Sequence, residues 1–356
     1  MRKLWRVRFR ERTGSISGNK PDTVYLTTPA TEYASYAQRI AQERAIFSGQ
    51  TTVHDLPPIF HYWSNKYLLP MEQQFGFSSP EDFFTKYLLE AAQRTRMRRA
   101  RFISLGAGNS DAEVRIAQNL VRGGLNDFVL ECLEINPAML DRGRALARGA
   151  GLERHVVPIA GDFNYWNPEH TYDAILANQS LHHVLRLEAL LDAVKGALHR
   201  DGLFMVSDMI GRNGHQRWPE ALAIVREFWR ELPESYRYNL QLQRQENEFL
   251  DWDCSTEGFE GIRAQDILPL LIERFGFRLF LAFGNIIDPF IDRSFGHHFD
   301  AESAWDREFI DRVHARDEEE IASGRITPTH MMAVMCIGEV SQCLQRGHLS
   351  PSYCMR

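Results

Sequence analysis

From Arg101 onward the chain alternates short apolar runs with amphipathic stretches, and this alternation constrains the fold more than any other feature. Phe102–Leu105, Phe128–Ile135, Val156–Ala160, Asp173–Ala177 and Leu203–Ser207 read as strands. Ala112–Leu120, Pro137–Ala150 and Glu188–His199, which lie between them, carry apolar residues at helical spacing. Strands that alternate with helices build βαβ units, and such units stack into a parallel sheet covered by helices on both faces. Further on, Gln265–Arg274 and Trp305–Ser323 read as helices, and Phe277–Ile287 and Met331–Ile337 as two more strands. The expectation is an α/β fold with a doubly wound, seven-stranded sheet.

Around this core the composition shifts. Residues 1–30, with basic Arg2–Arg12 followed by Gly14, Ser15, Gly18 and Pro21, read as a flexible leader. Residues 31–99 read as a helical N-terminal cap. Its clearest start signal is Ser79-Pro80-Glu81-Asp82, with a capping serine, proline at the first helical position and acids in the first turn. Residues 100–210 form the core. Residues 211–262, dense in aromatics such as Trp218, Phe228, Trp229 and Trp252, read as an inserted helical cap or lid. Residues 263–340 complete the sheet and carry an insertion, and 341–356 form a C-terminal tail. The run Arg316–Glu320 reads as a solvated helix face.

Charge and cysteine usage narrow the function classes. The chain has 41 Lys and Arg against 47 Asp and Glu, a net charge of −6, which disfavours nucleic-acid binding through phosphate neutralisation. The 5 cysteines are scattered and no pair has C-x-x-C spacing, so neither a zinc finger nor a disulfide framework is expected; Cys132 and Cys336 read as core residues. No apolar run approaches the roughly 18 residues of a membrane span, and the basic N-terminus lacks a secretory pattern. The expected setting is cytoplasmic, with a small-molecule partner, no nucleic acid, no membrane and a homodimer as the candidate assembly.

Four motifs place chemistry at strand ends. Phe102–Asp111 (F-I-S-L-G-A-G-N-S-D) ends a strand in Gly106-Ala107-Gly108, a turn that lets a ligand approach the backbone; Ser110 or Asp111 can cap the following helix. A plain strand-to-helix turn is the alternative. An acid stands where a dinucleotide fingerprint has its third glycine, which disfavours a pyrophosphate. Glu134, in L-E-I-N-P, stands at the predicted tip of the second strand, where a carboxylate can accept ribose hydroxyls; Glu131 is the competing acid. Asp162 and Phe163, in A-G-D-F-N, suit an adenine through an acceptor and a ring face. Tyr172–Val184 runs a buried strand into Asn178, Gln179, Ser180, His182 and His183. In open parallel sheets ligands bind beyond the carboxyl ends of the strands.

In order and spacing these motifs resemble class I S-adenosylmethionine-dependent methyltransferases over about residues 100–210. The resemblance implies a Rossmann-like fold and a cofactor site. Gly106, Ala107 and Gly108 would cradle the amino-acid part of S-adenosylmethionine, Glu134 would hold the ribose, Asp162 and Phe163 would border the adenine, and Asn178 would contact the cofactor. Their neighbours Ile135 and Gln179 complete the expected set. Ser110 departs from the third glycine of many members. The implied reaction is methyl transfer to N, O or C of a small-molecule acceptor, such as a natural product or sugar-like metabolite, leaving S-adenosylhomocysteine. Protein or peptide methylation, a non-catalytic binding module and a nicotinamide dehydrogenase are the competing readings.

Proton removal from the acceptor calls for a base, and His182 and His183 follow the fourth strand where the methyl should project. His61, within the aromatic stretch His54–Tyr67, is a third candidate. Tyr62 and Trp63 could line an acceptor pocket, though aromatic clusters usually pack a core. Asp208, Arg263 and His297 are further candidates for facing the acceptor, with a structural salt bridge as the alternative for Arg263. Paired His297 and His298 near Asp300 lack metal-ligand spacing, and no metal is expected.

Overall fold

The computed structural model describes residues 29–48, 56–96, 99–256 and 258–356. The expected leader therefore falls almost wholly outside the described residues, as does His54. The chain forms two compact units, Met1–Gln38 and Arg39–Arg356. Of the first, the described part is the beginning of helix α1 (Pro29–Ser48). All the strands among the described residues lie in the second.

In the larger unit α2 (Pro58–Trp63) passes through a single π-turn into α3 (Leu69–Gln74). Helix α4 (Pro80–Thr95) follows, and the Ser79 side chain caps it by accepting from Asp82 N at 3.1 Å. Next come β1 (Ala100–Leu105), α5 (Asp111–Arg122), β2 (Phe128–Glu134), α6 (Pro137–Gly149), β3 (Val156–Ala160) and β4 (Tyr172–Asn178). These are followed by α7 (Leu187–Ala197), β5 (Leu198–Met209), α8 (Pro219–Glu231) and a short hairpin of β6 (Tyr238–Asn239) and β7 (Arg244–Gln245). The chain ends with α9 (Ala264–Arg274), β8 (Gly276–Phe283), α10 (Asp288–Ile291), α11 (Ala304–Ala322), β9 (His330–Cys336), β10 (Leu344–Gln345) and α12 (Pro351–Cys354).

The sheet order is β10-β8-β9-β5-β4-β1-β2-β3. Strands β1 to β5 pair in parallel, and β9 runs antiparallel between β5 and β8. The sheet has eight strands rather than the expected seven, because Leu344–Gln345 pairs in parallel with Leu279–Phe280. Two residues are too few to carry a periodic signal, so this strand exists only through its partner.

Successive side chains of a strand point to opposite faces, and the core divides accordingly. Ile103, Leu105, Ile175, Phe204 and Val206 pack with α7, α8, α9 and α11 through Leu191, Trp229, Leu268 and Phe309. Phe102, Leu130, Cys132, Leu176 and Met205 pack with α4 and α5 through Phe83, Phe84, Leu88, Ile116 and Leu120. With helices on both faces the sheet is doubly wound. Helix α4 thus covers the sheet itself, against β4 and β5. Each buried Phe or Leu of these faces contributes about 1.5–3 kcal/mol relative to exposure.

Part of the Arg316–Glu320 run is not solvated. Asp317 and Glu320 are buried on α11. Asp317 accepts from the backbone amides of Asn285 and Ile286 at 3.0 Å, and Glu320 pairs with Arg316 and Arg325. Charged residues tolerate burial when they find such partners, and a one-dimensional charge pattern cannot show them.

Candidate active site

The chain leaves β1 toward β2 and β3 on one side and returns at β4 on the other, so β1 and β4 flank a topological switch point. Register aligns the residues at that edge. Leu105 pairs with Leu133 on one side and Ala177 on the other, and one step further Glu134 pairs with Ala160 and Asn178 with Ser207. The glycine turn begins at the same level, where Gly106 N and Ala107 N both donate to Leu133 O, at 2.9 and 3.0 Å.

Gly106 and Gly108 have φ of 74° and 55°, in the left-handed region where glycine carries no Cβ penalty. A Cβ on Gly106 would lie 2.7 Å from Ser180 Cβ and 3.3 Å from the Phe163 ring, so the position needs glycine on both grounds. Ser110 also has positive φ, 56°, and its side chain makes no cap hydrogen bond to α5, contrary to the capping role its type suggests. The turn's geometry is kept without a third glycine at the cost of one strained serine.

Glu134 is 8% exposed. Its Oε2 accepts from Gly108 N at 3.0 Å and its Oε1 from Asn136 N at 2.8 Å. Burial raises its pKa, while those amides pull the other way. The competing acid, Glu131, is consumed in structure: it accepts from Arg101 at 2.5 Å and from the Tyr172 hydroxyl at 2.7 Å. Asp162 caps a short 3-10 turn by accepting from Asn164 N at 2.9 Å, and its neighbour Phe163 lies against Gly106. Ala107, Ile135 and Asn178 are half-buried at the same edge; Gln179 is exposed and its backbone N–H donates to Ser207 O at 2.7 Å.

Beyond β4 and β5 lies a histidine cluster that the sequence motifs only partly anticipate. Asp208, fully buried at the end of β5, accepts from Ser180 N, Leu181 N and Met209 N and bonds His182 Nδ1 at 2.6 Å. The rings of His182 and His183 are 4.3 Å apart, and those of His182 and His215 are 5.0 Å apart. All three face Glu260: His215 Nε2 lies 2.7 Å and His182 Nε2 3.3 Å from Oε1, and His183 Nε2 lies 3.5 Å from Oε2. Burial alone would lower the pKa of His182, but the charge and hydrogen bond of Asp208, then Glu260, carry it up to about 10. His215 goes down, chiefly through burial. Burial would raise Glu260, yet the histidines around it hold it well below the usual carboxylate range.

Residues 39–48 of α1 cross over this edge. Glu43 reaches His183 Nδ1 at 3.0 Å and Phe259 N at 3.1 Å, Arg39 donates to Gly258 O at 2.6 Å, and Arg44 O accepts from Asn136 at 3.4 Å. Sequence reasoning missed Glu43, His215 and Glu260. The Gly214-His215 and Glu260-Gly261 pairs carry a glycine signal, but nothing local joins them to His182.

The remaining candidates stand elsewhere. Tyr62 donates to Asp311 at 2.9 Å and Trp63 to His314 at 3.2 Å, so both pack on α11. His61 is exposed on α2, edge-on to Phe60. Arg263 forms ion pairs with Glu188 and Asp266 at 2.6 and 2.8 Å, and His297 is exposed in a 3-10 turn. A concavity lined by Ile210, Trp218, Gln265, Thr327 and Arg356 shares no residue with the strand-tip site.

Residues 106–206 match a family model described as a methyltransferase domain. That span runs from the glycine turn into β5, and over it the resemblance to class I S-adenosylmethionine-dependent methyltransferases holds. No curated protein matches the chain. Among solved structures, an S-adenosylmethionine-dependent methyltransferase from Clostridium acetobutylicum aligns at 16% identity and TM-score 0.31, covering 42% of this chain and 62% of that one, which is less than two thirds of its length. An O-methyltransferase from a trans-AT PKS multienzyme of Brevibacillus brevis, in complex with S-adenosyl-L-homocysteine, aligns at 11% identity and TM-score 0.42, covering 81% and 82%. Geranyl diphosphate C-methyltransferase from Streptomyces coelicolor aligns at 11% identity and TM-score 0.44, covering 88% and 100%.

Proposed function

We propose that this chain transfers a methyl group from S-adenosylmethionine to a small-molecule acceptor such as a natural product or sugar-like metabolite. One observation carries the reading: a left-handed glycine turn, a buried Glu134 and the Asp162-Phe163 pair meet at one switch point of a parallel sheet. The residues fit the adenosyl group. Each Glu134 oxygen already accepts one amide and has a second lone pair for a ribose hydroxyl. Phe163 offers an aromatic face beside the turn.

When bound, S-adenosylmethionine supplies an electrophilic methyl group on a sulfonium. The protein's part is to hold the acceptor in line with it, which removes much of the barrier through orientation. His182, pinned by Asp208, has a fixed ring and presents Nε2 to Glu260. His183, less buried and beside it, would take the acceptor's proton. Residues 39–48, lying over the edge, help to exclude water.

Calorimetric titration of the full chain with S-adenosylhomocysteine and with NAD tests the cofactor. Binding of the first and not the second is expected; the reverse would favour a dehydrogenase. Once an acceptor is found, His183→Ala should slow transfer of labelled methyl while S-adenosylhomocysteine still binds.

A further inference from the structure

The histidine cluster has more ligating groups than proton transfer to one acceptor needs. Because Asp208 accepts on both oxygens from three backbone amides, its contact at 2.6 Å requires His182 Nδ1 to carry a proton. The other nitrogen, Nε2, faces Glu260 Oε1 at 3.3 Å. That contact needs a positive centre between the two atoms, which a proton on Nε2 or a bound cation supplies. His215 Nε2 meets the same oxygen at 2.7 Å, while its Nδ1 is buried without a hydrogen-bond partner. His183 Nδ1 is 3.0 Å from Glu43 yet lacks hydrogen-bond alignment with it. Three imidazoles thus share one carboxylate, Glu260, and two of their nitrogens are left without a hydrogen-bond partner.

The spacing suits a metal ion. One ligand atom each from His182, His215 and Glu260 lies within 4.8 Å of the others. Four-coordinate zinc with bonds of about 2.0–2.1 Å sets its ligand atoms about 3.3 Å apart. The backbone is shaped for this approach: Gly214 and His215 both have positive φ, Gly214 N donates to Gly261 O at 2.8 Å, and a Cβ on Gly261 would sit 3.1 Å from the His215 ring.

We propose that His182, His215 and Glu260 form a binding site for one first-row divalent cation, with Asp208 as the positioning residue behind His182. Two imidazoles and one carboxylate suit zinc or ferrous iron, and a carboxylate behind a ligating imidazole is the usual outer partner that fixes its tautomer. The cation would take the place of the proton between Nε2 and Glu260. Three protein ligands leave positions for an acceptor hydroxyl or amine, whose proton a bound cation would loosen beside His183. The site lies outside the 106–206 match in two of its three ligands and rests in no part on the cofactor reading.

Cobalt(II) is the probe. The chelator-treated full chain is titrated with it and followed by visible d–d absorption and calorimetry. One equivalent is expected to bind with the spectrum of a four- or five-coordinate site. His215→Ala and Glu260→Gln should each weaken binding by more than about 100-fold, and Asp208→Asn by roughly 10–100-fold. His170→Ala, which removes an exposed histidine, should change nothing. Circular dichroism without cobalt checks folding; Glu260 is part-exposed, so Glu260→Gln keeps the test alive if His215→Ala does not fold. No binding, an octahedral aqua-like spectrum, or unchanged affinity in Glu260→Gln overturns the proposal. S-adenosylhomocysteine binding measured on the metal-free chain separates its failure from failure of the methyltransferase reading.

Discussion

Glu134→Gln isolates the role assigned to the acid at the tip of β2. The substitution preserves shape but replaces one oxygen with an NH2 group. Gly108 N and Asn136 N now donate to separate oxygens, at 3.0 and 2.8 Å, so in the variant one of these amides must face a donor. A lost hydrogen bond to a charged group costs about 1.5–3 kcal/mol, and part returns because Glu134 no longer buries a charge. The net change in stability should therefore be small. Cofactor affinity should not escape so lightly. One acceptor for the ribose disappears and the turn at Gly108 loses its anchor, so the Kd for S-adenosylhomocysteine should rise by about 10–100-fold, equivalent to about 1.4–2.8 kcal/mol. The assay is isothermal calorimetry, with a thermal melt in parallel. Glu131→Gln is the matched control on the same strand: it breaks contacts to Arg101 or Tyr172 and should lower the melting temperature without altering Kd. A Kd unchanged within about twofold in Glu134→Gln, or raised equally in Glu131→Gln, refutes the reasoning.

Two further outcomes follow from buried geometry. Gly106→Ala would place a Cβ 2.7 Å from that of Ser180 at a φ of 74°, so about 1–2 kcal/mol of backbone strain should add to about 1–3 kcal/mol of overpacking, read as a lowered urea midpoint. Glu113 is buried against Ser104, whose hydroxyl donates to it at 2.7 Å, and burial raises its pKa to about 7. Since its folded value lies above the unfolded one, the stability it contributes is fully present below about pH 4.5 and is lost as pH rises through about 7, by about 3 kcal/mol in all. Glu113→Gln keeps the acceptor for Ser104 and should flatten urea stability between about pH 4.5 and 7; an unaltered slope would show that another group sets it.

The sequence by itself determined the parallel core, because strand and helix periods are local and the glycine turn is written in consecutive residues. It also determined which acid or polar group ends each of the four strands, since βαβ connection brings successive strand tips to one edge whatever the rest of the chain does. The eighth strand, the burial of Asp317 and Glu320, and the pairing of Glu131 with Arg101 and Tyr172 were decided by partners far along the chain. So was the histidine cluster. His182, His215 and Glu260 come from three separate loops, and a side chain that acquires its role through a contact between distant loops leaves no periodicity or spacing from which that contact could be read. Only the packed tertiary structure, by closing those loops over the tips of β4 and β5, sets three imidazoles around one carboxylate.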